Sequence, residues 1–150
     1  MKRIGKWIDT IFFVKEQPSW TRYLICFIAT VIGVGFIGYY FGTNDHVVHI
    51  PFLKKIVDSS LYPNDPYFEL KQYHYSFFWY LFVPFYKLGI LEPVLFLVHI
   101  FSVFFVFFGI WHITHQLFSD KRIANAAVFT LMLPHIAFGG FPLIEFQVVN

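Results

Sequence analysis

The chain reads as an all-α integral membrane protein. The sequence predicts about four transmembrane helices, an N-terminal amphipathic helix and a second amphipathic helix in an outer loop. Three observations predict this. Of 150 residues, 57% are hydrophobic and only 13% charged, against about 25% charged in an ordinary soluble domain. Aromatic residues make up 23%, including 22 phenylalanines. A soluble core of this chain length does not enclose that bulk, and lipid needs no such core. Long uncharged runs recur, and the mean hydropathy is +0.60.

A bilayer core of roughly 30 Å needs about 20 apolar residues in a helix. Backbone groups in lipid must be satisfied internally, and the short alternating segments of a membrane barrel are absent, so the runs are helices. The formal net charge of +2, with no Lys/Arg cluster, excludes a nucleic-acid face, so no nucleic-acid partner is expected. Cys26 is the single cysteine, which excludes an intrachain disulfide.

Residues 1–22 place Ile4, Trp7, Ile8, Ile11 and Phe12 at helical spacing, as in a cytoplasmic interfacial helix; a disordered basic leader is the alternative. Gln17-Pro18-Ser19 breaks that pattern, and Ser19 is placed to cap the next helix. Residues 23–42 form the first transmembrane helix, a retained anchor with no small-x-small cleavage site behind it. Lys2, Arg3, Lys6, Lys15 and Arg22 precede it and put the N-terminus in the cytoplasm.

Residues 43–71 are then an outer loop. Residues 72–91 are the second span, kinked by Pro84, with Lys87 able to snorkel. Residues 93–118 are the third, long enough to tilt, and residues 123–144 the fourth, with Pro134 near its middle. On this topology the Lys87–Glu92 turn is inside and the Ser119–Arg122 turn outside. Trp7, Trp20, Trp111, Tyr39 and Tyr40 fall near the expected boundaries as belt residues. The chain ends FPLIEFQVVN without a polar tail, which predicts a fragment of a longer protein.

The outer loop carries the candidate chemistry. Asp45 follows the first span at the membrane–water boundary, where Thr43, Asn44 or Asp45 can cap a new helix. On that helix Asp45 and His49 share a face, as do His46 and His49. The segment VVHIPFLKKIVDSSLY mixes apolar and charged residues, as in a helix lying along the outer leaflet. Leu61-Tyr62-Pro63-Asn64-Asp65-Pro66 is a turn by composition. Each residue also has a plain structural reading: Asp45 as a cap, Asp58 and Asp65 as turn residues, and Lys54 and Lys55 as headgroup contacts. A zinc site on Asp45, His46 and His49 lacks a distant further ligand.

The loop NDHVVHIPFLKKIVDSSLYPNDPYF, directly behind FIGYYFGT, resembles the first outer loop of the GT-C class of polytopic glycosyltransferases. It also resembles that of a group of uncharacterised bacterial multi-pass membrane proteins. The likeness covers about 30 residues and the hydropathy pattern. It implies transfer from a lipid-phosphate-linked sugar, such as a polyprenyl-phosphate sugar, on the outer face of a bacterial plasma membrane. Asp45 would then be the catalytic acid, or would hold a divalent cation against the sugar phosphate. Asp65 would be a second acid, and Lys54, Lys55 and His49 would bind substrate. Many such enzymes carry adjacent acids where this chain has Asp45-His46.

Two other classes remain open. His99 and His135, with the Pro and Gly breaks around them, would line a path in a transporter component. Alternatively, the same histidines bond between helices in a small non-catalytic subunit, whose partners are the lipid bilayer and further helices of the same or another chain.

Overall fold

The computed structural model describes residues 17–43, 45–69 and 77–132, with Ile37, Asp45 and Glu69 described in their backbone alone. The expected N-terminal surface helix, Asn44, the start of the second expected span and the Pro134-His135 and Gly139-Gly140 region lie outside the described residues.

All regular structure among the described residues is helical: α1 (Thr21–Ile37), α2 (Asp45–Val57), α3 (Pro66–Glu69), a 3-10 helix (Phe78–Phe82), α4 (Val83–Lys87), α5 (Leu91–Phe118) and α6 (Lys121–Met132). The four expected crossings are not matched by four long helices. Among the described residues one helix, α5, is long and apolar enough to cross a membrane. Its 28 residues give a length of about 42 Å. α1 has 17 residues, about 26 Å, and ends where Gly38 takes φ 81°.

The second expected span is not one helix over its described part. Pro84 begins a new short helix instead of continuing the 3-10 turn, because it lacks an N–H and its ring clashes with the preceding turn. Gly89, at φ 71°, then ends that helix in the left-handed region.

The described chain forms two compact units, residues 17–38 with 99–132 and residues 39–98. In the first, α1 and α6 present matching narrow faces. Ile25, Cys26 and Ala29 on α1 meet Ala124 and Val128 on α6, with Phe107 and Trp111 of α5 completing the core. Residues three and four apart share a helix face, which is why these positions align. Cys26, Ala29 and Ala124 are the small residues of this face, the kind that favours close helix packing. Gly33 extends the same face, and a Cβ there would meet the Phe107 ring at 3.7 Å.

Ser119, at φ 53°, turns the chain out of α5. The Asp120 carboxylate then accepts the Arg122 backbone N–H at 2.9 Å and starts α6. Ser19 does not cap α1: its N-cap is Trp20, with no side-chain bond.

In the second unit, Leu53 of α2, Phe82 of the 3-10 helix, and Leu91 and Leu95 of α5 form the core. α2 forms as expected, with Pro51 inside it. Its buried face, Ile50, Phe52 and Leu53, turns into this unit, where the Phe52 ring lies 4.8 Å from Tyr67 and 5.0 Å from Phe68.

Candidate functional site

The loop site is built on α2. Asp45 opens the helix, and its side chain lies outside the described residues. His46 Nδ1 accepts the Gly42 backbone N–H at 3.2 Å. Its ring meets the edge of the Trp79 indole at 6.2 Å and 89°. His49, one turn on, stacks on the same indole at 4.9 Å and 21°. One tryptophan therefore orients both histidines. Among the described residues no group of three His, Cys, Asp or Glu side chains is placed to hold a metal.

The other candidates bind groups of the loop itself. Lys55 donates to the Leu61 carbonyl and to the Tyr62 carbonyl at 3.4 Å, with its ammonium 5.9 Å from the Phe68 ring centre. It satisfies two carbonyls where Tyr62 and Asn64 take positive φ. Asp58 Oδ1 accepts the Ser60 hydroxyl at 2.6 Å and its N–H at 2.9 Å. These bonds, hydroxyl first, hold its carboxyl below the usual carboxylate range. Asp65 accepts the Tyr67 N–H at 3.0 Å, which caps α3. Burial first, then the Asp65 carboxylate, pushes the Tyr67 phenol up, and its hydroxyl donates to the Val48 carbonyl at 3.4 Å. Lys54 lies half-buried in the last turn of α2. The structure thus brings His46, His49 and Trp79 together, and gives Lys55, Asp58 and Asp65 capping partners.

A second polar cluster lies in the first unit. Trp111 Nε1 donates to Asn125 Oδ1 at 2.8 Å. Asn125 Nδ2 donates to Gln17 Oε1 at 2.9 Å, and Lys121 donates to the Gln17 carbonyl. Asn125 is fully buried, with Gln17 at 5% and Trp111 at 3% exposure. Trp111 is therefore a core residue, not the belt residue expected, because its indole N–H has found a buried partner. An asparagine inside an otherwise apolar run was the visible signal for this network. Nothing in the sequence pointed to Gln17, whose bond to Asn125 spans 108 positions.

Beside this network is a cavity of about 230 Å³, lined by Gln17, Ser19, Arg22, His112, His115 and Lys121, with Trp111 as one wall. Arg22 lies over the Tyr23 ring at 4.7 Å and the Trp111 ring at 5.9 Å, and one guanidinium N–H₂ donates to the Tyr23 hydroxyl at 2.8 Å. Its Nε is buried without a hydrogen-bond partner. His115 stacks on Trp111 at 5.0 Å and 6°.

No protein-family model matches the chain, and neither does any curated protein or solved structure.

Proposed function

We propose that the chain is an integral membrane protein in which α5 and the shorter α1 cross the bilayer in opposite directions. One observation carries this reading. The most apolar stretch of α5 has a mean hydropathy of 2.5, and only 17% of it is buried. The core helix of a soluble protein is mostly buried. Here Leu97, Phe101, Phe105, Ile113 and Leu117 are more than half exposed, on a surface that lipid would cover.

Directions follow from the first unit. Gln17, just before α1, bonds to Lys121 and Asn125 in the first turns of α6. α6 follows α5 after two residues. The start of α1, the end of α5 and the start of α6 therefore meet. Arg22, Lys121 and Arg122 gather there, behind the basic residues 2–15, which makes it the cytoplasmic end. The Ser119–Arg122 turn belongs to that end, against the sequence expectation. Residues 39–90 then face the other side of the membrane. Exposed Phe77, Leu81 and Leu88 suit that segment to the interfacial zone.

Single-cysteine labelling tests this, with Cys26→Ala as background and a membrane-impermeant maleimide. Ser19→Cys and Ser119→Cys should react from one side of sealed vesicles and Ser59→Cys from the other. Ser119→Cys reacting together with Ser59→Cys would restore four crossings. Release of the chain by alkaline carbonate would end the membrane reading.

A finer reading keeps the GT-C likeness, with an outer-face transfer from a polyprenyl-phosphate sugar. It is favoured by Asp45 opening α2 with seven residues between it and the end of α1 at Ile37. Asp45, His49 and Lys54 would carry it, since Lys55 and Asp65 already hold the loop. Asp45→Asn should abolish transfer from such a donor while leaving membrane insertion intact. Unchanged transfer by Asp45→Asn would remove Asp45 from the chemistry.

A further inference from the structure

We propose that the cavity between the start of α1 and the end of α5 binds a phosphate group, held by Arg22 and Lys121. Four observations converge on an anion. Arg22, Lys121, His112 and His115 line the cavity, and among the described residues no carboxylate does. Among the described residues the nearest acid in sequence, Asp120, is held by the Arg122 guanidinium at 2.7 Å. Arg22 is fixed by two aromatic rings and a tyrosine hydroxyl, while its buried Nε has no hydrogen-bond partner. α1 also begins there with no side-chain cap, so the positive end of its dipole adds to the field.

Phosphate suits this set better than a spherical anion. A guanidinium presents a planar fork that matches two phosphate oxygens, and an ammonium adds a point charge. The Ser19 hydroxyl supplies a further donor. At about 230 Å³ the cavity is smaller than an ordinary drug-sized pocket and takes a headgroup or a free ion. Basic pockets between helices at a cytoplasmic boundary bind the headgroups of anionic lipids. A lipid source rests on the membrane reading above, whereas free phosphate as the source does not.

The test uses the full chain with two probes. In nanodiscs of phosphatidylcholine with a minor share of phosphatidylglycerol, native mass spectrometry counts the phosphatidylglycerol that stays bound. In phosphatidylcholine nanodiscs and in detergent, calorimetry follows binding of inorganic phosphate. Arg22→Gln and Lys121→Gln should each weaken binding about tenfold, the weight of one charge-assisted bond. Arg22→Lys should keep most of it, and Lys54→Gln should leave it unchanged.

Phosphatidylglycerol retention that depends on Arg22 and resists inorganic phosphate assigns the site to a lipid headgroup. Arg22-dependent binding of inorganic phosphate alone assigns it to a free anion. If folded Arg22→Gln and Lys121→Gln, checked by circular dichroism, match the wild type with both probes, the proposal is overturned. Wild-type chain that binds neither probe overturns it as well. If the chain proves not to be membrane-embedded, the phosphate arm in detergent still decides.

Discussion

The indole N–H of Trp111 donates to the side-chain oxygen of Asn125 across 2.8 Å, with both residues buried. The asparagine passes the connection on to Gln17 at 2.9 Å. A buried polar group left without a partner costs about 1–3 kcal/mol. Asn125→Leu strands the Trp111 N–H and takes one donor from Gln17, so thermal unfolding in detergent should show a loss in that range. A double-mutant cycle with Trp111→Phe should be clearly non-additive. Additive losses would mean that the two side chains do not act together.

Gly33 should tolerate a methyl group. Its added Cβ meets the Phe107 ring at an ordinary contact distance of 3.7 Å. Alanine is a better helix former than glycine by about 0.5–1 kcal/mol. Gly33→Ala should therefore be neutral or stabilising in the same unfolding assay. Gly33→Phe should destabilise by overpacking against Phe107, typically by about 1–3 kcal/mol. A clear loss from alanine would show that the helices pack more tightly at this level.

Lys55 should matter to the loop even without any substrate. It serves the carbonyls of Leu61 and Tyr62. Lys55→Met keeps the apolar stem and removes the donors. Amide exchange across residues 59–64 should quicken about fivefold, the equivalent of about 1 kcal/mol. Unchanged exchange would leave Lys55 available for a ligand.

The Asp58 turn should respond to acid. Its carboxyl titrates below the usual range in the folded chain because Ser60 bonds the ionised form. The stabilisation is therefore complete above the unfolded value of about 3.9 and is lost as pH falls through the lower folded value. Exchange protection of the Ser60 amide, after correction for the intrinsic rate, should stay flat from neutral pH to about pH 5 and decline below about pH 4. Asp58→Asn should remove that decline. A fall beginning near neutral pH would point to another group.

The helical class was legible because apolar runs and helix breakers are local signals. The third expected span matches α5 nearly residue for residue, since an unbroken apolar run leaves the backbone no alternative. The second is not one helix over its described part: a 3-10 turn passes into a short helix at Pro84, and Gly89 ends it. In the loop, Asp58 and Asp65 behave as the turn chemistry of Asp predicts. The tie of Lys55 to Leu61 and Tyr62, and the Trp79 platform beneath His46 and His49, were not legible. Both depend on contacts between segments, which spacing along one helix does not encode. That the start of α1 meets the start of α6 was hidden for the same reason, because it depends on Gln17 meeting Lys121 and Asn125.

The bond between Gln17 and Asn125 has a consequence for biogenesis. Its two ends are separated by 108 positions, so the acceptor leaves the ribosome roughly 5–20 s before the donor at ordinary synthesis rates. During that interval Gln17 waits without the Asn125 amide. α6 then emerges with an asparagine that is buried and paired only once the helix docks. The last helix described is thus docked by a partner made at the outset, and the order of translation becomes the order of assembly.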